Sequence, residues 1–262
     1  MKWGHGRMAR VIVVTSGKGG VGKTTITCLL GRALANAGKK VVLIDADLGL
    51  KNLDVVLGLE SRVIYDLEDV IKGRSTLRQA LVQDKVSQNL FLLPACMKID
   101  VTSVNDGYLT SIINQLQIDY DFILIDSPAG IEKGFLNAIK NAKEAIVVVT
   151  LDKTSLRDGD KVIGLLKNNQ INDIKIIVNR TKKNSDSQLK TSDVIRILDV
   201  PLLGVIEENK CIQSQQNYGL IIDKKSDTYI DFQNIANRII GNDEIVKKTN
   251  FMSKFIKSLS RS

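Results

Sequence analysis

Histidine is nearly absent from this chain: His5 is the only one, and it lies in an irregular N-terminal stretch. Histidine-based metal binding and acid–base chemistry are therefore not expected. Cysteine is scarce as well. Cys28, Cys96 and Cys211 are odd in number, far apart and in no metal-ligand spacing, so reduced, buried thiols are the expectation. No apolar run approaches the length needed to span a bilayer. Residues 1–7 lack the apolar middle of a signal peptide and read as an extension, residues 1–8, ahead of the folded domain.

What is present is ordinary for a globular protein. The 262 residues are 44% hydrophobic and 25% charged, enough for one large domain with appendages. A net charge of +8 favours an anionic partner, whether nucleotide, nucleic acid or acidic lipid surface, without choosing among them.

The most informative stretch is RVIVVTSGKGGVGKTT, residues 10–25. A β-branched, almost uncharged run reads as a strand covered on both faces, and Gly17 to Thr24 follow with the spacing G-x-x-x-x-G-K-[ST]. Strand, glycine loop and helix are expected in that order. Gly17, Gly19, Gly20 and Gly22 would let the backbone adopt conformations closed to side chains, so that the N–H groups of the loop, Val21 included, converge on phosphate oxygens at a helix N-terminus. Lys23 would reach the β- and γ-phosphates of a nucleotide, and Thr24, followed by Thr25, would hold Mg²⁺ through its hydroxyl.

Further strands are expected over Val41 to Ile44, Leu90 to Leu93, Phe122 to Asp126, Ala145 to Thr150 and Lys175 to Val178. Helices are expected over Lys23 to Asn36, Gly107 to Leu116, Ser155 to Asn168 and Tyr229 to Ile240, with short helices in 66–83. Ligand chemistry in open α/β sheets gathers at the carboxyl ends of strands, which places Asp45, Asp47 and Asp126 near the phosphates. Asp126 has the arrangement of a Walker B carboxylate, with Ser127 to Gly130 as a γ-phosphate-sensing loop. Asp45 is a candidate for the Mg²⁺ shell. A helix cap or turn is the alternative for Asp45 and Asp47.

Taken as a helix, residues 250–261 place Phe251, Met252, Phe255, Ile256 and Leu259 within an arc of roughly 140°, opposite Lys254, Lys257 and Arg261. That is the pattern of an in-plane membrane helix, too short to cross a bilayer and weak as a single copy. Residues 242–249 read as a polar tether behind a domain spanning 9–241. A final helix packed on the domain is the alternative.

Lys18, in K-G-G-x-G-K-[ST], resembles the signature lysine of the deviant Walker A family, which contains MinD, ParA, the nitrogenase iron protein and the arsenite-pump ATPase. DADLGLKNLD (residues 45–54) and DSPAGIE (126–132) resemble its MinD-type division-site ATPases. The resemblance implies an α/β P-loop NTPase with a mostly parallel sheet between helices, plus the amphipathic C-terminal helix. It implies Mg²⁺-dependent ATP hydrolysis in which Lys18 reaches the partner's nucleotide across an ATP-driven homodimer and Asp47 orients the attacking water.

The family's Thr-Pro-Glu, whose acid meets the partner's signature lysine, is here Thr150-Leu151-Asp152, so Asp152 is a shorter substitute. Asp158 matches a dimer and partner surface, and Asn179 a residue that reads adenine; a solvated acid and a turn amide are the plain alternatives. A proline-containing adenine loop in relatives corresponds to Val205 to Asn209, which lacks proline.

The implied partners are an anionic membrane surface, a MinC-like inhibitor, a MinE-like stimulator and, indirectly, the FtsZ ring. No nucleic acid is expected. A composition rich in lysine, asparagine and isoleucine favours a plastid setting, stroma and inner envelope, with bacterial cytoplasm and inner membrane as the alternative. Rival readings are a ParA-type DNA-partition ATPase, an iron–sulfur reductase component and a metabolic synthase on the same scaffold.

Overall fold

The computed structural model describes residues 8–47, 52–96, 107–131, 133–182, 189–215, 219–242 and 245–246. Residues 1–7 of the expected extension, most of the tether and the amphipathic tail with Phe251, Met252, Phe255, Ile256 and Leu259 lie outside the described residues, as do residues 48–51.

In chain order the elements are β1 (Arg10–Thr15), α1 (Lys23–Asn36), β2 (Val41–Asp45), α2 (Leu53–Leu57), α3 (Leu67–Ile71), α4 (Leu77–Ala80), β3 (Val82–Gln83), β4 (Leu90–Leu93) and α5 (Tyr108–Leu116). There follow β5 (Phe122–Asp126), α6 (Lys133–Ile139), β6 (Glu144–Val149), α7 (Lys153–Asn168), β7 (Asp173–Thr181), α8 (Thr191–Leu198), β8 (Leu202–Glu207), α9 (Lys210–Gln215) and α10 (Asp227–Ile240). The strands form one sheet in the order β3-β4-β2-β5-β1-β6-β7-β8, parallel except for the β3–β4 pair. The α/β class with helices on both faces is as expected.

Two apolar layers explain why. Val11 and Val13 of β1 join Ile123 and Ile125 of β5 in one core, beneath α5, α6 and α7. Ile12 and Val14 join Leu124 in the other, beneath α1 and α10. A strand whose neighbouring residues all need cover must sit in the middle of a sheet sandwiched by helices.

β4 and β5 keep the bounds expected of them, β2 runs one residue further, β6 is shifted by one residue, β7 is longer at both ends, and α1 runs over its expected span. Elsewhere the structure differs. Residues 82–83 are an antiparallel edge strand rather than the end of a helix, and α7 begins at Lys153 because Asp152 caps it, accepting the Ser155 N–H at 2.9 Å. Asn179 and Arg180 lie inside β7, and Val205 to Glu207 are strand rather than loop. Cys28 and Cys96 are buried but Cys211 is exposed, against the expectation for all three.

Candidate functional site

β1 ends at Thr15 and the chain turns through Ser16 to Val21 before α1 begins behind Gly22, which caps it in the left-handed region at φ 95°. Gly20 has φ 77°. These two glycines meet the expectation of backbone closed to side chains.

Gly17 is needed for a different reason: a Cβ there would stand 2.3 Å from the backbone oxygen of Asp158, so α7 packs directly on the loop. A Cβ on Gly19 would meet nothing within 4 Å. The expectation that all four glycines serve backbone freedom is thus corrected for Gly17 and Gly19.

Behind the loop, three side chains converge on Asp126, which is fully buried at the tip of β5. Lys23 Nζ donates to Oδ1 at 3.0 Å, the Thr24 hydroxyl to Oδ2 at 2.8 Å and the Thr27 hydroxyl to Oδ1 at 3.1 Å. Lys23 is itself 7% exposed, so the ion pair is out of water. Thr27 escaped the sequence reading, although it lies one helical turn after Lys23 and must share its face.

Asp45 and Asp126 are register neighbours on the adjacent strands β2 and β5. Asp45 accepts the backbone N–H groups of Asp47, Asn52 and Leu53 at 3.1 to 3.2 Å, which anchors the start of α2 to the strand tip. Burial, and next the charge of Asp126, push its carboxyl up to about 7 against those hydrogen bonds. Asp47 is half-buried; desolvation raises its carboxyl, the Lys23 ammonium opposes this, and Asp126 adds to the rise.

Two adjacent buried carboxylates beside a threonine hydroxyl are a hard-oxygen donor set that suits Mg²⁺, with Thr24 and Asp126 as the residues that would hold it and Asp45 beside them. The loop after β5 is joined to this centre by the Gly130 N–H, which donates to the Ser16 carbonyl at 3.2 Å, and by the Ser127 N–H on the Val14 carbonyl at 3.1 Å.

The second loop lysine goes elsewhere. Lys18 is on the rim, its Nζ 4.0 Å from Asp152 Oδ1 within the same chain, both side chains about half exposed. Asp152 also accepts the Thr150 hydroxyl at 2.6 Å; these hydrogen bonds and Lys18 draw its carboxyl down against burial. Asp158, partly buried where α7 packs on Gly17, is 3.6 Å from Lys161 and 3.7 Å from Arg157.

On the other side of the loop, Asn179 is 7% exposed and donates from Nδ2 to the Val21 carbonyl at 2.7 Å. That bond fixes the amide and leaves its oxygen and second N–H for recognition. The amide borders a cleft of about 370 Å³ between the loop and Arg180, Ile206 and Phe232, with Thr25 on its wall.

Among the described residues there is no group of three or more histidines, cysteines or acids able to hold a metal, and no helix is long and apolar enough to cross a membrane.

Comparison with known proteins agrees with this geometry. The profile of the CobQ/CobB/MinD/ParA nucleotide binding domain matches residues 12–222. A MinD septum site-determining protein of Guillardia theta is 48% identical over 242 residues, covering 90% of each chain. The MinD chain of the Aquifex aeolicus MinC:MinD cell division complex superposes with a TM-score of 0.84 at 43% identity, covering 91% of this chain and 98% of that one. MinD from Pyrococcus horikoshii complexed with Mg-ADP gives 0.81 at 34% identity over 88% of this chain and 96% of that one. Motif, site geometry and these matches together establish that the chain belongs to the MinD group of the CobQ/CobB/MinD/ParA family of nucleotide-binding ATPases.

Proposed function

We propose that this chain is a Mg²⁺-dependent ATP hydrolase that dimerises on ATP, holds a membrane surface through paired C-terminal tails and positions a division site. The observation that carries the reading is the division of labour between two lysines of one loop. Lys23 is buried against Asp126, while Lys18 stands on an exposed rim with only a 4.0 Å contact to Asp152. A nucleotide drawn into the loop takes Lys23 onto its phosphates. Lys18 is then available to a second copy, with Asp152 and Asp158 on the same face as the dimer and partner surface.

Hydrolysis is in-line attack of water on the γ-phosphate, with Asp47 orienting the water and Asn179 against the base. Mg²⁺, when bound, neutralises phosphate charge. Positioning supplies most of the rate, and basal turnover is slow. Two tails on one dimer raise membrane affinity by about 10²-fold or more over a single tail.

The Aquifex complex supports a MinC-like partner. A MinE-like stimulator and an indirect effect on the FtsZ ring follow from the same reading. The relatives are found in algae and cyanobacteria alike, which supports a plastid or a bacterial setting.

Co-sedimentation with anionic vesicles tests this. The full chain should pellet with ATP and Mg²⁺, stay soluble with ADP, and stay soluble with ATP when residues 250–262 are deleted. Pelleting that ignores the nucleotide overturns the reading, and ATP-dependent retention on DNA in place of vesicles would favour a partition ATPase.

A further inference from the structure

Three residues other than glycine have a positive φ among the described residues: Gln170, Arg180 and Asp199. Gln170 and Asp199 stand just past the ends of α7 and α8, where a left-handed residue commonly closes a helix. Arg180, at φ 56°, lies inside β7 instead. A left-handed residue that carries a side chain is costly, and such residues cluster at functional sites, where the surroundings hold them in place.

The register with β8 shows what this backbone achieves. Val178 pairs with Val205 and Thr181 with Glu207, so β7 advances three residues where β8 advances two. The extra residue is a bulge. Successive side chains of a regular strand point to opposite faces, yet Asn179 and Arg180 border the same cleft. Bulge and left-handed backbone together turn Arg180 to the side of Asn179.

Arg180 also borders a cavity of about 400 Å³ on the outer rim of the loop, walled by Lys18, Gly19, Gly20 and Asp152. Its size is that of a small-molecule site. Only Arg180 and Glu208 line both spaces. Three cations line the rim cavity, and two of them have an acid: Lys18 faces Asp152 at 4.0 Å and Lys182 faces Glu208 at 3.5 Å. Arg180 is exposed and, among the described residues, no carboxylate pairs with its guanidinium.

We propose that Arg180 binds the α-phosphate of the nucleotide and so fixes the joint between the base and the terminal phosphates. The proposal rests on the nucleotide reading of the site and deepens it. With the base against Asn179 and the terminal phosphates at Lys23, the part of the ligand that passes between cleft and rim is the ribose with the α-phosphate, and only the α-phosphate is anionic. A guanidinium without an acid of its own matches that group in charge and in its fork of donors.

Calorimetric titration of the full chain with Mg-ADP tests this. Arg180→Gln should weaken ADP about tenfold or more, the loss of a charge-assisted contact, and Arg180→Lys, which keeps the charge without the fork, should recover part of it. ADP with sulfur in place of a non-bridging α-oxygen should bind the parent more weakly than ADP does, and that ratio should fall towards one in Arg180→Gln. Lys182→Gln removes the same charge from the same cavity and should change ADP affinity less than twofold. Arg180→Gly relieves the left-handed position of its side chain, so it should melt at about the parent's temperature while binding ADP as weakly as Arg180→Gln.

Arg180→Gln that binds ADP like the parent overturns the proposal, as does an equal loss in Lys182→Gln, which would reduce the effect to general charge. An unchanged sulfur ratio overturns the assignment to the α-phosphate. Arg180→Gly that melts well below the parent overturns it in favour of a structural side chain. A loss seen only with ATP, and growing with protein concentration, overturns it in favour of a contact with the second copy. A parent that binds no ADP overturns the nucleotide reading as well, whereas a parent that binds ADP alongside an unaffected Arg180→Gln overturns this proposal alone.

Discussion

Lys18 and Lys23 leave the same loop and end in opposite surroundings. Lys23 is 7% exposed and salt-bridged at 3.0 Å to a carboxylate that two threonine hydroxyls also satisfy. Lys18 is 48% exposed and 4.0 Å from an acid that is itself half in water. A buried ion pair with its remaining lone pairs filled is part of the fold, and removing one partner leaves an uncompensated charge. An exposed pair at that distance is worth little to the fold. The inner lysine is held by its own chain; the outer one is left for something else to use.

That contrast sets an order of effects. Lys23→Met should cost the most, about 3 to 5 kcal/mol of stability from the stranded Asp126, together with loss of ATP turnover. Chemical denaturation with a turnover assay checks it, and a variant that melts like the parent would show the inner pair to be dispensable.

Gly17→Ala comes next, at about 1 to 3 kcal/mol, because its Cβ would stand 2.3 Å from the Asp158 carbonyl and push α7 off the loop. Weaker hydrogen-exchange protection at the start of α7 would be its signature. Asp152→Ala should cost about 1 kcal/mol, since it removes the α7 cap on the Ser155 N–H; Asp152→Asn, which still caps, should recover most of it.

Smallest in stability is Lys18→Met, within about 0.5 kcal/mol of the parent. It should nonetheless remove the dependence of ATP turnover on protein concentration, and a Lys18→Met protein that keeps that dependence would break the contrast altogether.

Much of this was legible in the chain. The uninterrupted apolar run of β1 announced cover on both faces, and the bounds of α1 followed from apolar spacing within it and Gly38 just past its end. The elements that escaped are short or masked by their own residues. β8 carries Gly204, a poor strand former, and the reason lies in α10: a Cβ there would stand 2.5 Å from Ile235. α2 has five residues and is anchored by Asp45 from another strand, a contact no local pattern announces. Asp152 read as a partner-facing acid, and it is first the cap that starts α7.

The buried ion pair of Arg32 with Asp84, 52 residues away, left no signal in either neighbourhood.

The sequence by itself determined the kinds of element, the order of strand, loop and helix around residues 10–36, and the acids at the strand tips. These depend on local chemistry: apolar periodicity, glycine at positive φ, and carboxylates where apolar runs end. Only the tertiary structure decided which groups meet. Lys23 finds Asp126 across 103 residues because β1 and β5 pair in parallel, with their tips on one edge of the sheet. Gly17 is required by a helix that arrives much later in the chain, and Lys18 lies beside the acid that caps the start of that same helix. Proximity of this kind arises from packing two cores against one sheet, and no stretch of residues carries it alone.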